Sequence, residues 1–114
     1  MQLFVLILNK TELLDAILQK MAQSGFSGAT VLESTGMARL LKDLNDMPIF
    51  SGLRSMLGAD RTQSSTVLAV VRDDQVNALR DIVNEVTGGI SKPDTGIMFA
   101  VPTLFVEGLP HPAR

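Results

Sequence analysis

The apolar positions of the chain fall into two repeating periods. Gln2 to Leu8 is an almost continuous apolar run, the length of a strand buried on both faces. The period then changes. Leu14, Ile17, Leu18 and Met21 stand at i, i+3, i+4 and i+7, the apolar stripe of an amphipathic helix, with Asn9 or Thr11 before it as capping residues and Glu12 in its first turn. Gly25 is placed to end this helix in a left-handed conformation. A second strand is predicted over about Gly28 to Ser34, broken by Gly36.

The same order returns near the C-terminus. Thr66 to Arg72 reads as a strand, with its β-branched apolar centre at Val67 to Val71. Asp73 or Asp74 is the expected cap of a helix whose stripe is Val76, Leu79, Val83 and Val86, and Gly88-Gly89 stops it. Ile97 to Val101, closed by Pro102, predicts a last strand, and Leu104 to Val106 a further short extended piece. Two βαβ units in one chain fold most simply as a ferredoxin-like domain: α+β, βαββαβ, a four-stranded antiparallel sheet with both helices on one face.

Between the second and third strands lie roughly thirty residues, where compact domains use loops of about 2 to 5. Their composition is not that of a disordered linker. Met37, Leu40, Leu41 and Leu44 form one helical stripe, and Ile49, Phe50, Leu53, Met56 and Leu57 a second, which predicts two short helices over about Ala38–Leu44 and Phe50–Leu57.

Strand parity adds a second expectation. Leu6, Leu8, Ala69 and Val71 cannot point to the same side of the sheet as Val5, Ile7, Leu68 and Val70. Both faces of the central strands are therefore apolar, while helices cover only one. Self-association through the other face is the economical remedy, and folding back of the insertion is the alternative.

Composition narrows the chemistry. At 114 residues, 46% of them apolar, the chain fits one domain over residues 1–114. No apolar run approaches the roughly 20 residues that span a bilayer, and the start, MQLFVLILNK, reads as a strand rather than a signal peptide. The chain has no cysteine, which excludes thiolate chemistry and disulfides and agrees with a cytoplasmic protein. A net charge of −2 without a basic patch, and without Trp or Tyr for base stacking, argues against nucleic-acid binding. The one histidine, His111, sits in the tail segment LPHPAR and reads as solvated. Glu12, Asp15 and Glu33 form no convincing catalytic pair, so neither a catalytic residue nor a metal site is expected and the chain is read as a non-enzyme.

Three stretches, GFSGATVLESTG before the insertion, VVRDDQVNALRDIV, and TGGISKPDTGIMFAVP, together resemble the PII signal-transduction superfamily, the nitrogen-regulatory PII-like proteins. The resemblance covers most of the chain in order and spacing. It implies the ferredoxin-like fold, a homotrimer whose sheets pack inward, and clefts between subunits that hold a phosphorylated ligand. Residues 37–64 would correspond to the T-loop, which docks on a partner enzyme, transporter or regulator, and residues 87–96 to the phosphate-wrapping B-loop. Carried over by position, the ligand-binding residues would be Thr30, Gly36, Met37, Ala38 and Arg39 on one side, with Thr87, Gly88, Gly89, Ser91, Lys92, Thr95 and Gly96 beside or across from them. Backbone N–H groups of such a glycine-containing loop can nest an anion, and Arg39 or Lys92 can add a charged hydrogen bond.

The chain departs from the family in three places. SKPDTG stands where the glycine-aspartate-glycine-lysine motif is usual, the arginine-rich C-terminal segment is missing, and there is no tyrosine to be uridylylated. ATVLESTG and TVLAVVRDDQV are similar to the PII-like receptors of cyclic di-AMP. The resemblance thus implies a divergent member that requires no cofactor and binds an adenine nucleotide (ATP, ADP or AMP) or cyclic di-AMP. The contrasting expectation is a non-catalytic trimeric assembly protein with a vestigial cleft. No membrane insertion is expected in either case.

Overall fold

The computed structural model describes residues 1–37 and 63–109. The chain is α+β: one four-stranded antiparallel sheet and two α-helices, an arrangement compatible with the ferredoxin-like class. The strands are β1 (Gln2–Leu8), β2 (Thr30–Ser34), β3 (Ser64–Val71) and β4 (Gly96–Pro102), in the spatial order β2-β3-β1-β4. The helices are α1 (Leu14–Gln23) and α2 (Val76–Thr87). Most of the insertion, including the two helices expected over Ala38–Leu44 and Phe50–Leu57, lies outside the described residues, as does His111.

One parity of the sheet builds the core. Phe4, Leu6, Leu8, Val67, Ala69 and Val71 pack against Ile17 and Met21 of α1 and Leu79, Ile82 and Val83 of α2. The stripes read from the sequence are those that face the sheet, with Leu14, Leu18, Val76 and Val86 half-buried around them. Alternation therefore puts both helices on one side.

Three local expectations need correction. Asn9 and Thr11 do not cap α1, and Asp73 and Asp74 do not cap α2. Each helix is entered through a single 3₁₀ turn, Thr11–Leu13 and Asp73–Gln75, without a side-chain cap bond at the helix itself. At the second turn the Gln75 side chain reaches back and accepts the Arg72 N–H at 2.9 Å. Asp73 instead meets the N-terminal ammonium at 3.2 Å and the Gln2 amide at 3.3 Å, and Asp74 pairs with Arg72 Nε at 3.0 Å. The third correction concerns Leu104 to Val106, which is not a strand: the chain leaves the sheet at Thr103, whose N–H and hydroxyl both donate to the Met1 carbonyl. The stops are as expected, with Gly25 at φ 90° and Gly88 at φ 76°.

The hydrogen-bond phase of the sheet follows from its ends. Thr103 N–H donates to Met1 O and Asn9 N–H to Thr95 O, and both bonds continue the β1–β4 register, in which Gln2 faces Pro102 and Leu8 faces Gly96. In an antiparallel ladder hydrogen-bonded pairs alternate with non-bonded ones. Ile97, Phe99 and Val101 thus direct their backbone groups toward β1, and Gly96, Met98 and Ala100 direct theirs outward. Carrying the phase through β1 and β3, the backbone groups of Ser64, Thr66, Leu68 and Val70 point to the β2 side.

Candidate functional site

β2 pairs with β3 only from Thr30–Leu68 to Ser34–Ser64. One step further, Val70 still points its N–H and C=O to that side, but the chain at Gly28 is not in the ladder and no described residue pairs with them. The divergence of the two segments opens a cleft of about 690 Å³. One wall is the connection Gly25–Thr30, the other is Leu68–Arg72, and Leu3, Gln75 and Leu109 contribute to its rim. The volume is within the usual range of small-molecule sites. The lining is largely apolar, with Phe26, Leu68 and Val70. Its polar groups include the Ser27 and Thr30 hydroxyls, the Arg72 and Gln75 side chains and the backbone of Val70, which no described residue pairs. A neighbouring donor and acceptor on a strand edge can hydrogen-bond a planar group that presents the complementary pair.

Of the residues nominated from sequence, only Thr30 lines this cleft. Gly36 and Met37 are exposed at the other end of β2, and Ala38 and Arg39 lie outside the described residues. Segment 87–96 is at that same end of the sheet, since Gly96 faces Leu8 while Ser34 faces Ser64. It follows the opposite edge strand, however. Two strands separate β2 from β4, so the edges are about 14 Å apart within one chain, three interstrand spacings of about 4.8 Å. A single chain therefore does not bring the two nominated groups together.

Segment 87–96 engages three of its own backbone N–H groups, those of Gly89, Ile90 and Lys92. The Thr87 hydroxyl, on a buried side chain, donates to Val83 O at 2.7 Å and accepts from Gly89 N–H at 3.2 Å. Ile90 N–H donates to Asn84 Oδ1 at 3.0 Å, and Lys92 N–H to Gly89 O at 3.1 Å. The Lys92 ammonium lies over Gly88, at the C-terminus of α2, where a cation complements the helix dipole. Ser91 is exposed. Thr95 is buried, with its hydroxyl 3.3 Å from Pro93 O. Gly96 approaches the Ile7 carbonyl too closely for any side chain. In this conformation the glycines work as a helix stop and a close strand approach.

The second feature is the sheet face away from the helices. Leu32 is 48% exposed, Ile97 56%, Phe99 46% and Val101 42%, all of this parity, whereas Val5, between β3 and β4, is 8% exposed. Exposure is thus concentrated on the two edge strands. Alternation in the sequence signals this face. Nothing in the sequence signals the role of Val70, which depends on where β2 leaves the ladder.

Among the described residues no helix is long and apolar enough to cross a membrane, and no group of His, Cys, Asp or Glu is clustered as for a metal ion. No family model and no curated protein matches the chain.

Proposed function

We propose that the chain is a PII-like regulatory protein: a homotrimer that binds an adenine nucleotide or cyclic di-AMP at clefts between subunits and relays occupancy to a partner protein through residues 37–64. What supports a ligand is the cleft beside Thr30 on the β2 edge of the sheet, an edge open to a neighbouring subunit; of the residues the resemblance nominates, Thr30 alone lines it. An adenine ring presents a donor and an acceptor side by side on one edge, the pattern that the unpaired N–H and C=O of Val70 complement. Phe26 and Leu68 supply apolar contact to its faces, and Arg72 at the rim carries the positive charge that a phosphate seeks. The apolar sheet face supports the oligomer, because a face of this kind on a lone domain is left in water. Regulation requires that ligand favour one conformation of residues 37–64 over another. The reading assigns no catalytic step to the chain, and it is supported by a four-stranded antiparallel sheet compatible with the ferredoxin-like fold that the resemblance implies.

A second reading is a non-catalytic trimeric assembly protein. One observation favours it: the N–H groups of Gly89, Ile90 and Lys92 are already engaged within the chain. A phosphate held by segment 87–96 would have to displace those bonds.

Calorimetry with ATP, ADP, AMP and cyclic di-AMP separates the two. Heat with at least one of them, reduced several-fold in Thr30→Val, is the expected result. The absence of binding by all four, in protein shown to be trimeric, leaves the assembly reading.

A further inference from the structure

The chain continues past the last strand and comes back to the cleft. It leaves β4 at Thr103, which is tied to the Met1 carbonyl by its N–H at 3.2 Å and its hydroxyl at 3.0 Å. Met1 lines the cleft described above, and six residues after Thr103 so does Leu109. From β4 across β1 to β3 is about 10 Å, two interstrand spacings. Six residues reach up to about 20 Å when extended. The segment has length to spare for this passage, and Gly108, at φ 89°, turns it immediately before Leu109.

The large apolar side chains of this segment are not treated alike. Leu104 is 101% exposed and Phe105 78%, whereas Leu109 is 40% exposed. No described residue hydrogen-bonds the backbone of residues 104–109. The segment is thus tied by two bonds at Thr103 and seated by one partly covered leucine at its far end. A stretch held by so few contacts opens locally while the sheet and helices stay folded. Under it, Leu3, Leu68 and Val70 are only half-buried, so the cleft's apolar lining depends on what lies across it.

We infer that residues 103–109 form a strap that closes the cleft from within the same chain, with Thr103 as its fixed end, Gly108 as its hinge and Leu109 as its plug. A ligand enters the cleft only as Leu109 leaves it. The inference goes beyond the function proposed above and holds for whichever ligand the cleft takes. Strap and ligand exclude each other, so apparent affinity is the intrinsic affinity reduced by the fraction of molecules whose strap is open. Displacement also adds Leu109 to the exposed Leu104 and Phe105. Occupancy therefore changes the surface of the chain at the end of β3 opposite Ser64, where the insertion returns.

Thiol alkylation reads the strap without any ligand, because the chain has no cysteine of its own. Val70→Cys places a thiol in the cleft, and its rate of reaction with iodoacetamide is measured alone and combined with Leu109→Asp, which puts a charge on the plug. Two controls accompany it: Leu104→Asp, the same change at a wholly exposed position of the same segment, and Phe99→Cys, a thiol on the helix-free face outside the cleft. Circular dichroism confirms folding of each variant. Leu109→Asp is expected to accelerate alkylation at Val70→Cys several-fold, Leu104→Asp to leave it unchanged, and neither to alter Phe99→Cys. Equal rates at Val70→Cys with Leu109→Asp and Leu104→Asp overturn the strap. Acceleration at both thiols assigns the effect to general loosening and overturns it as well. The calorimetry above bears on the ligand alone, so the strap can fail with the nucleotide reading intact, and the reverse.

Discussion

The hydroxyls of Ser34 and Ser64 lie 2.6 Å apart, across the pair of residues where β2 hands the chain to the insertion and β3 takes it back. Ser34 Oγ is also 2.8 Å from Thr66 Oγ1, and Ser64 Oγ donates to Ser34 O at 3.3 Å. Three hydroxyls thus close the root of the long segment on the sheet face that lacks helices. Ser64 is buried, so truncating its partner leaves a hydroxyl with fewer bonds and little water. Ser34→Ala is expected to lower stability by about 1 kcal/mol. In a double-mutant cycle with Ser64→Ala, measured by urea unfolding, the two losses should sum to more than that of the double variant.

Among the described glycines, Gly96 is the one where a Cβ would meet backbone most closely. Its φ is 151° and a Cβ there would collide with the Ile7 carbonyl oxygen, which is backbone in the central strand β1 and has nowhere to move. Gly96→Ala should destabilise by about 2 kcal/mol or more, combining strain with a distorted β1–β4 pair. Gly88→Ala, at φ 76°, meets only the mobile end of Lys92, and should lose about 1 kcal/mol. Comparing the two by chemical denaturation checks the distinction.

Much of this architecture was legible in the chain. β1 could be bounded from Gln2 to Leu8 because every position in it is filled by a residue that one face or the other needs. The glycines at 25 and 88 marked the helix ends because only the left-handed conformation allows the chain to turn there. Cap residues are ambiguous in the sequence because Asn, Thr and Asp can satisfy several kinds of turn. Here Gln75 reaches back to Arg72 while Asp73 is drawn to the N-terminal ammonium. The strand expected from Gly28 begins at Thr30, and Leu104 to Val106 forms none. Extended sequence becomes strand only where a neighbour offers a ladder, and neither segment has one. The cleft at Val70 escaped the sequence for the same reason. It exists because β2 stops pairing early, a fact about two segments about forty residues apart rather than about the residues of either.

Asp73 gives the fold a pH dependence. Hydrogen bonds from the N-terminal ammonium and then from Gln2, with the ammonium's charge, hold its carboxyl below the usual value of 3.8. A carboxylate whose pKa is lower folded than unfolded stabilises the fold above the unfolded value. That contribution fades as the pH falls through the lower, folded one. The melting temperature of Asp73→Asn relative to the unmodified chain should therefore be depressed at neutral pH, and the two should converge in acid as the pH falls through the lowered folded value. A gap that stays constant into strong acid would assign the loss to something other than ionisation.

The core provides a contrast between two leucines. Leu79 is wholly buried against β-sheet and α1, and Leu104 is wholly exposed beyond Thr103. Leu79→Ala removes buried methyl groups and leaves a cavity, a loss of about 2–5 kcal/mol. Leu104→Ala removes nothing that is packed within the chain and should change monomer stability by less than about 0.5 kcal/mol. Urea midpoints measured at a dilution where copies are separate check both.

The helix-free sheet face makes the last prediction. Phe99 faces away from the helices beside Val5 and is 46% exposed, so a lysine there keeps its ammonium in water in a lone chain. In an assembly that buries this face the same ammonium is desolvated without a partner. Phe99→Lys is therefore expected to weaken self-association by at least about tenfold, about 1.4 kcal/mol per contact, while the far-ultraviolet dichroism of the monomer is unchanged. Ala16→Lys, exposed on α1 across the molecule, should leave association as it was. Sedimentation or light scattering over a dilution series reads both. Equal behaviour of the two variants would place any interface between copies away from this face.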